Sequence, residues 1–205
     1  MLYSNFSLQE AVDQFGLNYL EKSAVFPASL PLLPDIADKE IAMLNRQLKR
    51  DMDLARRTPT EKAKSEFVIA PVLATLRAIQ GIGVHSGVTF DVSAEENLKG
   101  ACDFLITLSD AIEIIRAPVL VVVEAKRSVM SEGLGQCLAE MVAAQKFNRK
   151  FEQTEAPIFG CITNGFYWRF LMLSELTVFA DSANEYPLLP LDELMRRLCY
   201  TVQSA

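Results

Sequence analysis

Residues 118–126, PVLVVVEAK, are the stretch on which the fold turns. Val119 to Val123 are apolar on both alternations of a strand, so the run reads as a central strand covered on both faces. Glu124 and Lys126 follow at once. Residues two apart on a strand share a face, so this carboxylate and ammonium point the same way at the end of a buried strand. Charges placed there must be solvated, paired or bound to a metal. A solvated salt-bridging pair is one reading of the triplet, and a ligand-holding pair is the other.

Just upstream, Gly100–Ile106 (GACDFLI) sets one acid, Asp103, inside an apolar run. Asp is unfavourable in strands, so it either caps the strand start or binds something. Turn residues Ser109-Asp110 and Arg116-Ala117-Pro118 separate the two runs, which fits neighbouring strands with Asp103 and Glu124 side by side. Further upstream, Glu66, Ile69, Leu73 and Leu76 have the spacing of one helical face, so Glu66 extends a stripe expected to face the sheet. The plainer reading is a first-turn Glu that favours the helix dipole. Gln136 lies on a helix expected from about Ser131 to Lys150. It is either a surface residue or a polar group over the Asp103–Glu124 pair.

The rest of the chain frames these runs. Ser7 and Glu10 have capping-box spacing and start a first helix. Residues 26–34, FPASLPLLP, hold three prolines and cannot be regular helix. A second helix spans about Asp35 to Arg57. Thr58-Pro59-Thr60-Glu61 then reads as N-cap, first helical Pro and capping Glu of a third helix, with a kink expected at Pro71. GVTFDVSAE, ACDFLITL and PVLVVVEAK are the expected strands. PIFGCIT and FYWRFLML form a hairpin through Asn164-Gly165, and a last helix runs from about Leu191 to Val202. The whole is an α/β fold, a central mixed β-sheet flanked by helices, with extra N-terminal helices. It is read as one domain: residues 1–57 a helical extension, 58–173 the core, and 174–205 a C-terminal strand and helix.

Composition bounds the function. The chain has 205 residues, half of them apolar, which supports a large core and excludes a mostly disordered chain. Its net charge of −6 argues against a non-specific nucleic-acid coat. No apolar run is long enough to span a membrane, and no signal peptide is visible. Cys102, Cys137, Cys161 and Cys199 are scattered, and His85 has no identifiable partner, so a zinc site is set aside. Such cysteines read as reduced core residues of a cytoplasmic protein. Gly133-x-Gly135 lacks the Gly-Lys-Ser/Thr of a phosphate loop. Tyr167, Trp168 and Phe170 could stack bases, and alternating hairpin packing explains them equally well. Between Lys39 and Glu66, eight Lys and Arg face five Asp and Glu. Arg46, Lys49, Arg50 and Arg57 there could share a helical face toward a nucleic-acid backbone, or form a solvated face with i,i+4 pairs.

The order of the polar elements is helix Glu, strand Asp, strand Glu-x-Lys, then a helix with Gln. In SEFVIAPVLATL, KGACDFLITL, VLVVVEAKR and GLGQCLAEMVAAQ, followed by the TNGFYWRFL hairpin, the chain resembles the PD-(D/E)xK nuclease superfamily, the restriction-endonuclease-like fold. The resemblance covers roughly Thr58 to Leu173. It implies a divalent-metal-dependent nuclease acting on nucleic acid, DNA ahead of RNA. Asp103, Glu124 and the Ala125 carbonyl would bind Mg²⁺ or Mn²⁺, with Glu66 supporting that shell. Lys126 would orient the attacking water, and Gln136 would position water or substrate. Cys102 stands where the superfamily usually has proline. A homodimer suits an endonuclease that cuts both strands. The alternative is a nuclease-fold protein that no longer cleaves and acts as a binding or assembly subunit.

Overall fold

The computed structural model describes residues 2–58, 60–111, 113–126, 129–153 and 156–205. Its centre is an eight-stranded mixed sheet in the order β1-β7-β6-β5-β4-β3-β2, with β8 (Tyr186–Pro187) pairing with β6. The other strands are β1 (Asn18–Glu21), β2 (Gly83–Thr89), β3 (Ala101–Thr107), β4 (Val119–Ala125), β5 (Ile158–Thr163), β6 (Tyr167–Ser174) and β7 (Thr177–Ala180). β4 pairs antiparallel with β3 and parallel with β5. All seven residues of β4 are buried, as its two-sided apolar pattern predicts. Val121 and Val123 join one core layer and Val122 joins the other.

Helices cover both faces. α2 (Ile36–Arg57), α4 (Ala70–Gln80) and α6 (Leu191–Gln203) pack on one face. α1 (Leu8–Phe15) and α5 (Leu134–Lys150) pack on the other. α5 carries the crossover from β4 to the parallel β5, and it is buried nearly all round because α1 covers the side away from the sheet. Gly135 permits that fit. A Cβ there would lie 2.2 Å from the Phe6 carbonyl oxygen. At its far end, buried Asn148 accepts from the Val119 N–H at 2.7 Å and donates to the Val119 carbonyl at 2.8 Å. One amide therefore clips the end of α5 to the start of β4.

Several expectations are corrected. Thr58 ends α2, its N–H bonded to Leu54 O. The N-cap of the next helix, α3 (Glu61–Lys64), is Thr60, whose hydroxyl accepts from the Ala63 N–H at 3.1 Å. Pro59 lies outside the described residues. Between α3 and α4 the chain makes a π turn, Ser65–Ile69, closed by the Ala70 N–H on Ser65 O. This wider turn takes up the discontinuity expected at Pro71, which falls in the first turn of α4. The second strand begins at Gly83, earlier than GVTFDVSAE suggests, although Phe90 and Val92 still bond to Gly100 and Leu98. The N-terminal extension also contributes a strand: β1 pairs parallel with β7. The four cysteines are buried free thiols. Among the described residues, no helix is long and apolar enough to cross a membrane.

Asn148→Leu removes both partners of a buried strand end. An unsatisfied buried donor or acceptor costs about 1–3 kcal/mol, so the variant should lose about 2–6 kcal/mol of stability. Urea unfolding measures this, and an unchanged midpoint would contradict it.

Candidate functional site

The β3–β4 register sets Phe104 opposite Val123, which brings the preceding Asp103 beside Glu124. Both side chains lie on the α5 side of the sheet, by alternation from Leu105 and Val122. Asp103 Oδ2 accepts from the Ala125 backbone N–H at 2.8 Å, so this acid is tied to the end of β4. In β2, pairing runs from Ser86–Phe104 to Val88–Cys102 with Gly87 between them at φ +62°, a left-handed kink in the strand neighbouring Asp103.

Glu124 is almost wholly buried, at 1 % exposure. Its Oε1 accepts from Lys126 Nζ at 2.5 Å and its Oε2 from Gln136 Nε2 at 2.8 Å. Gln136 Oε1 lies 3.4 Å from Lys126 Nζ. Burial pushes the Glu124 carboxyl up to about 8, and the neighbouring Asp103 charge adds to this while Lys126 opposes it. Burial would lower the Lys126 ammonium, but Glu124 outweighs it and holds that group above its ordinary value. The pair is therefore mutually dependent: without Lys126, Glu124 would be a buried acid beside a second acid.

Asp103, Glu124, Lys126 and Gln136 thus converge at one end of β4, with Ala125 between them on the strand. Glu66 does not join them. The π turn breaks the three-residue spacing to Ile69, so Glu66 leaves the buried stripe that Ile69, Leu73 and Leu76 keep. It pairs with Lys62 at 3.8 Å and lines a groove with Glu40, Met43 and Gln47 of α2. Glu61, at the start of α3, is the helical acid whose charge reaches both Glu124 and Lys126. The basic face is also rearranged. Arg50 pairs with Asp51 and Arg57 with Asp53, each at 2.8 Å, while Arg46 and Lys49 are exposed on α2. Trp168 and Phe170 are fully buried and have no face for a base, whereas Tyr167 is exposed. His85 is buried beside the Thr107 hydroxyl.

Glu140 was not anticipated. It is fully buried on α5 one turn after Gln136, and its Oε1 accepts from Gln136 Nε2 at 3.0 Å. Its Oε2 has no hydrogen-bond partner among the described residues. One amide group thus links Glu124 to Glu140. Burial, then the Glu124 charge, hold the Glu140 carboxyl well above the ordinary range. The available signal was a single acid inside the apolar CLAEMVAA, at i+4 from Gln136.

The donor chemistry fits a hard dication. Two adjacent carboxylates repel, and a divalent ion between them would relieve that repulsion. Among the described residues no three His, Cys, Asp or Glu side chains gather as a metal cage. Mg²⁺ is commonly held by one or two carboxylates with water and substrate completing its shell, so Asp103 and Glu124 form an adequate protein contribution.

Glu140 supplies a test of this electrostatics. Its folded-state value is raised above the ordinary 4.5, so its protonated form contributes stability fully below about pH 4.5, and this is lost as pH rises. Gln cannot ionise and keeps the acceptor for Gln136. Glu140→Gln should therefore unfold at a higher temperature than the parent at about pH 8 without metal, the difference closing toward about pH 4.5. Equal midpoints across that range would contradict a strained Glu140. No protein-family model matches the chain, and no curated protein matches it, so its function is argued from these residues.

Proposed function

We propose that the chain is a divalent-metal-dependent nuclease of the PD-(D/E)xK type, built on a restriction-endonuclease-like core and hydrolysing phosphodiester bonds of nucleic acid, DNA first. The observation that carries this reading is the convergence of Asp103, Glu124, Lys126 and Gln136 at the end of β4. The strand pattern supports it: β3 and β4 antiparallel, α5 crossing to parallel β5, then the β5–β6 hairpin.

Asp103 and Glu124 would hold Mg²⁺ or Mn²⁺, and a bound ion supplies a Lewis acid for the phosphate and a lower pKa for water. Lys126 has its ammonium at the rim of the site, 18 % exposed against 2 % for the Glu124 side chain. From there it can hold the attacking water and favour its ionised form. Gln136 offers an amide that can orient water or substrate, with its own direction set by Glu124 and Glu140. Water attacks phosphorus in line and the opposite P–O bond breaks.

A second reading is a nuclease-fold binding or assembly subunit that no longer cleaves. It is favoured by the closure of Lys126 and Gln136 over both oxygens of Glu124.

Cleavage of supercoiled plasmid and single-stranded DNA with Mg²⁺, Mn²⁺ or EDTA separates the two. Metal-dependent nicking should vanish in Asp103→Ala. It should fall by about 10²–10⁴-fold in Lys126→Ala, the usual scale for a lost acid–base group. Nicking that survives both substitutions would overturn the site. No cleavage of DNA or RNA, with no Mn²⁺ affinity sensitive to Asp103→Ala, would overturn the nuclease reading and favour the non-cleaving subunit.

A further inference from the structure

We propose that the cavity where the residue 22–30 segment meets the turn after β7 and the first half of α6 binds a small organic oxyanion, a carboxylate or a phosphate monoester carried on an apolar body. Its lining includes none of the Asp103–Glu124 site, and the proposal does not rest on the nuclease reading.

The cavity measures about 480 Å³, within the range of about 300–1,000 Å³ usual for small-molecule sites. Its walls come from three stretches of chain that are tied to one another. The Lys22 N–H donates to Ser182 Oγ and the Ser23 N–H to Ala180 O, both at 3.1 Å. Arg196 donates to Leu30 O at 2.8 Å and to Pro31 O at 3.2 Å, which holds the proline-rich stretch against α6. The Phe26 ring meets Phe170, Tyr186 and Tyr200 edge-on, at centroid distances of 4.9, 5.7 and 5.7 Å. Phe26, Pro27 and Ala28 give the lining its apolar part.

The polar part is unbalanced. Lys22, Arg196 and Arg197 line the cavity against Asp181 and Glu193, which leaves one positive charge over. Both carboxylates are already engaged. Asp181 is buried, its Oδ1 accepting from Asn184 Nδ2 at 2.6 Å and its Oδ2 from the Tyr186 hydroxyl. Burial and Asp181 push that hydroxyl up to about 12, so it stays a donor to the carboxylate. Glu193 pairs with Arg196 at 3.7 Å and with Arg197 at 3.0 Å. The cationic donors are not matched in the same way. Lys22 makes no ion pair among the described residues. Arg197 Nη1 donates to Glu193 O and Oε2 at 2.8 and 3.0 Å, while its Nε is buried without a hydrogen-bond partner among the described residues. The guanidinium lies over the Tyr186 ring, 4.3 Å from its centroid, which sets the plane of the fork. A buried charged N–H without an acceptor is costly. An oxyanion on the Nε edge supplies that acceptor, and its charge answers Lys22.

Calorimetric titration in EDTA at low salt tests this. The probes are phenyl phosphate and benzoate, with benzyl alcohol as the uncharged body. At least one anion should bind at millimolar concentration or below, and benzyl alcohol should not. The tighter of the two anions assigns the oxyanion. Lys22→Gln should weaken that binding by about tenfold or more, the scale of a lost hydrogen bond to a charged group. Arg197→Lys, which keeps the charge without the fork, should do the same. Lys22→Arg should bind within a few-fold of the parent. Lys22 is exposed, so its variants report binding whatever Arg197→Lys does to stability. Asp103→Ala should bind as the parent does.

No heat with either anion, equal binding of benzyl alcohol, parent affinity in Lys22→Gln or in a folded Arg197→Lys, or loss of binding in Asp103→Ala overturns the proposal. Failure of the nuclease reading would leave these titrations unchanged, because it appears only in the cleavage assay.

Discussion

Two carboxylates stand side by side at the end of a strand whose interior is wholly apolar, and the site follows from how that repulsion is contained. Asp103 is fixed by a backbone N–H from the neighbouring strand, and Glu124 by an ammonium two residues further on and an amide from α5. Each tether comes from a different element. The β3–β4 register, the exit of β4 and the first turns of α5 must therefore all be in place before the acids can be tolerated together. In this sense the apolar sheet and the polar site are one problem: buried valines fix the strand, and the strand fixes the charges.

Glu140 extends the same problem inward. A third carboxyl lies beneath the first two and shares the Gln136 amide with Glu124. The amide can serve both because its single nitrogen carries two donors, one for each acid. This arrangement gives Gln136 a defined orientation, with its nitrogen toward the acids and its oxygen toward Lys126. An amide held in this way presents a fixed dipole to whatever occupies the space above Glu124.

Much of this was legible in the residues because it follows short-range rules. The two-sided apolar run of β4, the Asn-Gly hairpin and the Ser7 capping box depend on neighbours in sequence, and the structure has all three. The pairing of Asp103 with Glu124 was legible because one antiparallel turn joins their strands. Glu66 was misplaced because a π turn is invisible to a 3.6-residue period, and one wider turn was enough to take it off the buried stripe. β1 was missed because its four residues, NYLE, do not alternate, and its partner is near the other end of the chain. The meeting of Lys22, Asp181 and Arg197 around one cavity joins three separate stretches of chain, and nothing local in the sequence announces it.

The close seating of α5 against the N-terminal segment has a consequence for how the molecule is made. Gly135 lies against the backbone of Phe6 and Ser7, and Tyr3 donates through its hydroxyl to Phe90 O. During synthesis the first helix leaves the ribosome long before the residues it must cover exist. An eight-residue amphipathic helix is too short to hold firmly in water without the surface it packs on. Its docking is a late, long-range closure. Until then the outer side of α5, and with it the back wall beneath Gln136 and Glu140, stands open to solvent. Burial of the acids on the inner side of α5 therefore depends on contacts made by residues more than a hundred positions away in sequence.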